Sequence, residues 1–251
     1  MYVNVHGSLH RALGIPNQDA CRELQNVGKT KKVRLVCDGC TNIDPKNPES
    51  FNLTHSEVGA SLFCSLYETL ADPFDEEKFP KNAEIIMEKM LELVDFNKEN
   101  LDKKLDWLLH NYCFTILAVF ETEENFVVYC LGDGVILLKN HFDVVTYYEK
   151  KTGNNPPYLV NNYLLDNKVS FEKFIFSKKD IKNVGIASDG ILPVIRKETS
   201  SGEEMSRLEK LEVDNILSKE FSALGYNPVE ELKSLINRNP NLFCDDTTIV
   251  W

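Results

Sequence analysis

Four short apolar runs in this chain each end on an aspartate at a tight turn. Asp38, Asp133 and Asp189 are each followed by glycine, and Asp245 is followed by Asp-Thr-Thr. Glycine lets the chain turn sharply at the end of a strand because it has no Cβ. Carboxylates that gather at one place repel each other and are costly to desolvate, so they need a cation. Oxygen donors without His or Cys partners favour Mg²⁺ or Mn²⁺ over Zn²⁺.

The composition is that of an acidic globular protein. The 251 residues are enough to bury a core in one large domain. The fractions of hydrophobic residues (43%) and charged residues (27%) are ordinary for a globular protein. No internal repeat or long linker interrupts the chain, so we predict a single domain over residues 1–251. A formal net charge of −11 argues against nucleic acid or an anionic membrane as the main partner.

The N-terminus and the cysteines indicate a cytoplasmic protein. The first residues lack the basic region and apolar core of a signal peptide, and no apolar run approaches the ~18 residues that span a bilayer. Seven cysteines, an odd number, lie mostly in apolar strand-like stretches, where a free thiol behaves as a small hydrophobe. We therefore expect a monomer in a reducing cytoplasm.

The hydrophobic periodicity places most of these aspartates at the ends of strands. Long alternation of strands and helices is absent, so we predict an α+β protein with antiparallel sheets and segregated helices. Strands are predicted at residues 2–5, 33–37, 114–120, 126–131, 135–138, 144–148, 170–176, 184–187 and 248–251. Helices are predicted from residue 54 to about 70, over 82–110 as one helix or two, and over 203–224 and 228–237.

The first predicted helix has a recognisable start. Thr54 and Glu57 have the spacing of a capping box, in which a hydroxyl and a carboxylate satisfy the first backbone amides. Val58, Leu62 and Leu66 follow at steps of four and predict the buried face of the helix.

Six short motifs occur in one order along the chain, and together they resemble the metal-dependent protein phosphatase family, also called type 2C. The resemblance covers nearly the whole chain and is greatest to the bacterial-style branch, whose first segment reads Gly-x-Ser-His with Asn-Gln-Asp-Ala. The motifs are Asn17-Gln18-Asp19-Ala20, Cys37-Asp38-Gly39, Ser56-Glu57-Val58-Gly59-Ala60, Leu131-Gly132-Asp133-Gly134, Ala187-Ser188-Asp189-Gly190 and Asp245-Asp246-Thr247-Thr248.

The resemblance implies a four-layer α-β-β-α sandwich with a site for two Mg²⁺ or Mn²⁺ ions at one edge. Asp38 would bridge both ions, and the Gly39 carbonyl would bind one of them. Asp189 and Asp245 would complete the set of ligands around the other ion. Asp19 would hold metal-bound water from outside the ligand set.

The implied activity is hydrolysis of phosphoserine and phosphothreonine in proteins. Two cations that share a carboxylate lower the pKa of a bridging water, which attacks phosphorus in line without a covalent phosphoenzyme. Arg11 would bind the substrate phosphate, with a solvated surface arginine as the alternative interpretation.

Three positions depart from the family pattern. Gln18 stands where the family often has Glu, and Cys40 stands where many eukaryotic members have a histidine assigned as general acid. Some members bind a third ion through the aspartate that matches Asp133. Here Pro193 occupies the position of the second ligand which that ion needs.

Two other functions remain open at this point. A phosphatase fold without activity could serve as a regulatory or phosphoprotein-binding module, which Gln18 and Cys40 motivate. Cys37 and Cys40 also form a Cys-x-x-Cys pair, as in a thiol redox sensor. That chemistry favours a cysteine at a helix N-terminus, whereas Cys37 is predicted to end a strand.

Overall fold

Two antiparallel sheets lie face to face at the centre of the protein. The structure, a computed structural model, describes residues 2–26, 31–40, 54–94, 101–142, 144–150, 152, 156–164, 168–196, 233–234, 236–238 and 243–251. Within these residues each sheet has five strands, and all neighbouring strands run antiparallel.

The first sheet brings the two ends of the chain together. Its strands are β1 (Tyr2–Val5), β6 (Gly134–Asn140), β7 (Val145–Lys150), β9 (Ile181–Ala187) and β10 (Thr247–Val250). They lie in the order β1-β10-β9-β6-β7. The Asp189 and Asp245 turns therefore adjoin neighbouring strands.

The second sheet carries the predicted ligand Asp38 and positions Asp19, which was predicted to hold metal-bound water. Its strands are β2 (Ala20–Gln25), β3 (Lys32–Gly39), β4 (Phe114–Glu121), β5 (Asn125–Leu131) and β8 (Glu172–Ser177), in the order β2-β3-β4-β5-β8. Ala20 pairs with Cys37 across β2 and β3, which sets Asp19 beside Asp38.

An apolar core fills the space between the sheets. Alternate residues of a strand point to opposite faces. Val36 of β3 accordingly packs between the sheets with Leu117 and Ile186, while Leu35 packs toward the helices. The same alternation turns Asp38, two residues after Val36, toward the inter-sheet side at the end of β3.

Helices cover the outer faces of both sheets. The second sheet is covered by α2 (Ser56–Glu68), α3 (Phe79–Glu92) and α4 (Leu101–Asn111), whose apolar residues join one buried cluster with it. On the first sheet, α6 (Leu192–Arg196) and Ile236 pack against Val135 and Ile249. The four-layer α-β-β-α sandwich is thus confirmed.

The start and the buried face of α2 differ from the sequence prediction. The helix begins at Ser56 after His55, without a side-chain cap, and the Thr54 hydroxyl donates to the Cys40 carbonyl instead (2.8 Å). Val58 is 45% exposed. Leu62 and Leu66 are partly buried against the core, and the fully buried face is centred one position later in each turn, on small residues and aromatics. The buried residues are Ser56, Gly59, Ala60, Phe63, Cys64 and Tyr67.

The sequence predicted most of the strands but missed several short elements. The strands at both ends and in the middle of the chain are confirmed within one to three residues. The short helix α1 (Ser8–Leu13), strand β2 and the short helix α5 (Asn161–Leu164) were not predicted. The predicted helix over 203–224 and most of that over 228–237 lie outside the described residues. In the described part of the chain, no helix is long and apolar enough to cross a membrane.

Candidate metal centre

Aspartates from both sheets meet at one edge of the sandwich. Asp19 and Asp38 come from adjacent strands of the second sheet, and Asp189 and Asp245 adjoin β9 and β10 of the first. The carboxyls of Asp19 and Asp189 both lie close to that of Asp38. Carboxylates packed this closely repel each other, so a positive charge is needed at this position.

Burial and mutual repulsion dominate the electrostatics of the cluster. Burial, followed by the charge of Asp246, raises the pKa of Asp19 to about 7. Burial, followed by the charges of Asp19 and Asp189, raises the pKa of Asp38 well above its usual range. The pKa of Asp189 rises to about 6, mainly through burial and then through Asp245. These groups therefore resist ionisation unless a cation compensates them.

Asp133 and Asp245 lie on the more open side of the cluster. Burial and then the charge of Asp189 raise the pKa of Asp133 to about 6, so Asp133 is electrostatically part of the cluster. Asp245 is 53% exposed, yet surrounding protein atoms desolvate its carboxylate and raise its pKa, an effect that His10 opposes. The opening at Asp245 gives solvent access to the carboxylates.

One oxygen of Asp19 has no hydrogen-bond partner within the described part of the chain. The Ser188 hydroxyl donates to Asp19 Oδ2 (2.8 Å) and accepts from the Thr248 amide (2.9 Å), which fixes the Asp19 side chain. Asp19 Oδ1 is buried and has no hydrogen bond among the described residues. Leaving a buried carboxylate oxygen unpaired is costly. A cation or a water held by it would satisfy this oxygen, so the residues present fit a divalent metal.

Asp246 is a clamp that holds the cluster together. Its Oδ1 accepts from the Gly7 amide (2.7 Å), and its Oδ2 accepts from the Gln18 amide (2.6 Å) and from His10 (2.9 Å). The side chain is only 2% exposed. A Cβ at Gly190 would clash with the Asp246 carbonyl, so glycine is required where these two turns meet. Asp246 therefore ties the segments that carry Asp19, Asp189 and Asp245.

His10 and Arg11 take opposite directions from α1. His10 is 3% exposed, and its Nε2 lies 3.4 Å from Asp245 Oδ1. Arg11 is exposed, and its predicted contact with substrate phosphate stays a prediction. Arg196 is a second cation near the cluster, because its charge lowers the pKa of Asp189. Arg196 also hydrogen-bonds Glu149.

A hydrogen-bond network holds the turn after Asp38. The hydroxyls of Thr54 and Ser56 both donate to the Cys40 carbonyl (2.8 and 3.0 Å). Gln18 Nε2 donates to the Thr54 carbonyl (3.2 Å) and hydroxyl (3.0 Å). A Cβ at Gly39 would lie 2.5 Å from Ser56 Oγ, so only glycine fits. The Gln18 amide thus binds Thr54 from a buried position.

Comparison with known proteins identifies the family. The family model described as protein phosphatase 2C matches residues 6–224. The chain belongs to the protein phosphatase 2C family. A comparison with curated proteins gives no significant match.

Solved phosphatase structures share this fold at low sequence identity. The serine/threonine phosphatase Stp1 from Staphylococcus aureus is 13% identical with a TM-score of 0.60, covering 99% of this chain and 92% of Stp1. PppA of Pseudomonas aeruginosa, a regulatory component of its T6SS, is 11% identical (TM-score 0.57, 99% and 94% covered). The catalytic domain of the phosphatase PstP, in complex with two manganese ions, is 12% identical (TM-score 0.55, 99% and 94% covered).

The two cysteines of the Cys-x-x-Cys pair make separate contacts in this member of the protein phosphatase 2C family. Cys37 is fully buried with its Sγ 3.7 Å from that of Cys64, and burial raises its pKa. Burial also raises the pKa of Cys40, against an opposing hydrogen bond with Tyr158. Reactive thiols need a lowered pKa, so this arrangement argues against the redox interpretation.

Sequence reasoning about this phosphatase 2C chain missed three residues of the cluster. Ser188 and Asp246 stood inside the quoted motifs without a role, and His10 stood beside Arg11. Their contacts join residues 169 to 236 positions apart, which spacing along the chain does not reveal. A buried polar residue beside a ligand motif is the signal that could have indicated them.

Proposed function

We propose that this chain is a Mg²⁺- or Mn²⁺-dependent phosphatase that removes phosphate from serine or threonine of proteins, with residues 1–251 forming one catalytic domain. The observation that carries the proposal is the convergence of Asp19, Asp38, Asp189 and Asp245, with a buried oxygen of Asp19 that no described residue hydrogen-bonds. Membership of the phosphatase 2C family and the likeness to PstP with its two manganese ions support it.

Some residues of the cluster would bind the cations, and others hold those ligands in place. Asp38, Asp189, Asp245 and the Gly39 carbonyl would hold two ions, and Asp133 is the candidate for a third. When bound, two such cations supply a hydroxide nucleophile near neutral pH and neutralise charge on the phosphoryl oxygens.

The remaining residues of the cluster would orient a water molecule and hold the ligand-bearing backbone around the two cations. Asp19, fixed through Oδ2 by Ser188, would use its Oδ1 to hold and orient a water. The Asp246 clamp fixes the backbone that carries Asp245. A dianionic phosphate would be repelled by ionised carboxylates alone, so the proposed substrate class requires the cations as well.

A peptide assay with ligand variants tests the proposal. Hydrolysis of a phosphothreonine peptide with Mn²⁺ is compared with a chelator-treated sample and with Asp38→Ala and Asp245→Ala. The exposed His141→Asn serves as control, since that ring contacts only the Lys178 carbonyl among the contacts described. We expect hydrolysis in the wild type and the control alone. Activity that survives both aspartate substitutions would place the site elsewhere.

The alternative is a phosphatase-fold regulatory module without hydrolysis. Cys40 supports it, because a partly buried thiol with a raised pKa stands where many eukaryotic members of the family have a histidine. Calorimetric titration with Mn²⁺ separates the two functions, since an inactive module should bind Mn²⁺ weakly or at one site only.

A further inference from the structure

An imidazole faces the carboxylate edge from a buried position. His10 is 3% exposed, and its ring spans two aspartates, with Nδ1 2.9 Å from Asp246 Oδ2 and Nε2 3.4 Å from Asp245 Oδ1. Ligand atoms of the three side chains all lie within 4.8 Å of one another. The donors at this edge therefore include a nitrogen as well as oxygens.

The contacts of Asp246 define the orientation of the ring. Both oxygens of this carboxylate already accept backbone amides, from Gly7 and from Gln18. A carboxylate in this role accepts hydrogen bonds, so His10 Nδ1 donates its proton to Asp246. In that tautomer, Nε2 presents its lone pair on the side of Asp245.

This arrangement is the one that metal-binding histidines adopt in proteins. Such a histidine usually donates its second ring nitrogen to a carboxylate, which sets the ring orientation and strengthens the ligand. Two donors about 2.1 Å from one cation lie roughly 3.0 to 3.4 Å apart in octahedral or tetrahedral geometry. The Nε2 to Asp245 distance of 3.4 Å meets that spacing.

A simple hydrogen bond explains the same distance less well. N–H···O bonds in proteins are usually about 2.7 to 3.2 Å long. Asp245 Oδ1 also accepts the Asp246 amide at 2.8 Å, so it already has a closer donor. The buried Oδ1 of Asp19, which has no hydrogen bond from any residue that the structure describes, is a second, independent sign that the cluster is arranged around a cation.

We propose that His10 is a nitrogen ligand of the cation held by Asp245, with Asp246 as the carboxylate that orients the imidazole. The inference rests on the proposed metal site and adds to it a ligand outside the all-oxygen set. Imidazole suits transition metals better than Mg²⁺. The site should therefore prefer Mn²⁺ to Mg²⁺ more strongly than carboxylates alone would.

Isotope labelling of the folded wild-type protein tests this directly. Protein is prepared with histidine at natural abundance and with ¹⁵N-histidine, loaded with Mn²⁺, and examined by pulsed electron paramagnetic resonance. We expect a nitrogen hyperfine coupling to Mn²⁺ that changes from a ¹⁴N to a ¹⁵N pattern. His10→Asn, whose amide can still donate to Asp246, should abolish it, and His141→Asn should leave it intact.

The possible results separate this inference from the function beneath it. Bound Mn²⁺ without a histidine-dependent coupling would overturn the His10 ligand and leave the aspartate site standing. Failure to bind Mn²⁺ at all would overturn the metal site and the His10 ligand together. As a second readout, His10→Asn should weaken Mn²⁺ binding by about tenfold or more and Mg²⁺ binding by much less. An equal loss for both ions would contradict a nitrogen ligand.

Discussion

Strand β3 carries a buried charged residue toward each of its ends, and the two have opposite surroundings. Arg34 and Asp38 face the same inter-sheet side, four residues or ~13 Å apart. Arg34 donates to the Val184 carbonyl of the other sheet (2.9 Å) and pairs with Glu121, which Lys178 also contacts (3.0 Å). The charged residues that most affect the pKa of Asp38 are all carboxyl groups, namely Asp19, Asp189 and Asp245.

This difference distinguishes a structural charge from a functional one. At the Arg34 end, cations and a carboxylate compensate each other within the chain, and the network joins the sheets. At the Asp38 end, negative groups accumulate at a cost in stability that the described cations His10 and Arg196 offset only in part, since the pKa values of Asp38, Asp189 and Asp245 all stay raised. Such uncompensated burial occurs where a ligand completes the balance. The Asp38 end is accordingly the proposed site, and the Arg34 end contributes to the stability of the fold.

Neutralising Asp38 should have the largest effect. Asp38→Asn should lower kcat/KM for a phosphothreonine peptide by about 10³-fold or more, since it removes the carboxylate between the cations. Without metal, the same change should raise the free energy of unfolding by about 1 kcal/mol, because it relieves repulsion. Peptide hydrolysis and chelator-treated denaturation measure the two effects. A loss of both activity and metal-free stability would contradict the proposed role.

The opposite result is expected at the other end of β3. Glu121→Gln leaves the buried Arg34 guanidinium without its carboxylate, so it should lower the free energy of unfolding by about 2 kcal/mol. Specific activity of the folded protein should stay near the wild-type value. Asp72→Asn, which breaks an exposed pair with Lys78, is the control and should leave the free energy of unfolding nearly unchanged, since solvent screens that pair. Equal losses in both variants would show that burial of the Arg34 network is unimportant.

Metal-free stability should fall as pH rises. Asp19 and Asp189 have pKa values of about 7 and about 6 in the folded protein, above ~3.9 in the unfolded chain. Between these values the folded state holds protons that the unfolded state has released, so unfolding becomes easier as pH increases. From pH 5 to 8 these two shifts predict a loss of roughly 4 kcal/mol with chelator, and Mn²⁺ should cancel it.

Thermal unfolding at pH 5 and pH 8, with chelator and with Mn²⁺, measures this dependence. Asp38→Asn should flatten it, since one of the interacting carboxyls is gone. Metal-free protein that is equally stable at both pH values would show that the carboxyls are compensated in another way.

Restoring the family's common acidic residue at position 18 should have the smallest effect. In Gln18→Glu, a carboxylate would face the Thr54 carbonyl that the amide now donates to, so we expect a loss of about 1 kcal/mol in stability. Mn²⁺ affinity should not increase, because this side chain is directed to Thr54. Calorimetry of Gln18→Glu beside Gln18→Met checks both statements, and tighter Mn²⁺ binding in the Glu variant would refute the second.

The sequence predicted the aspartates at the Asp38 end better than the residues and the strand that hold them in place. Asp38, Asp189 and Asp245 follow or precede apolar runs, and strand alternation then delivers their side chains to one edge. The clamp of Asp246 on Gly7 and Gln18 depends on contacts between the two ends of the chain, which no local pattern encodes. Local patterns likewise missed β2, because its alternation includes charged residues whose place is set by pairing with β3.

The central claim is that the carboxylates at the Asp38 end are completed by two divalent cations. Anomalous diffraction from crystals grown with Mn²⁺ tests it most directly. We predict two peaks bridged by Asp38, each about 2.0 to 2.3 Å from its carboxylate ligands, with Asp189 and Asp245 around one of them. Crystals that show no anomalous peak at Asp38 in saturating Mn²⁺ would contradict the claim.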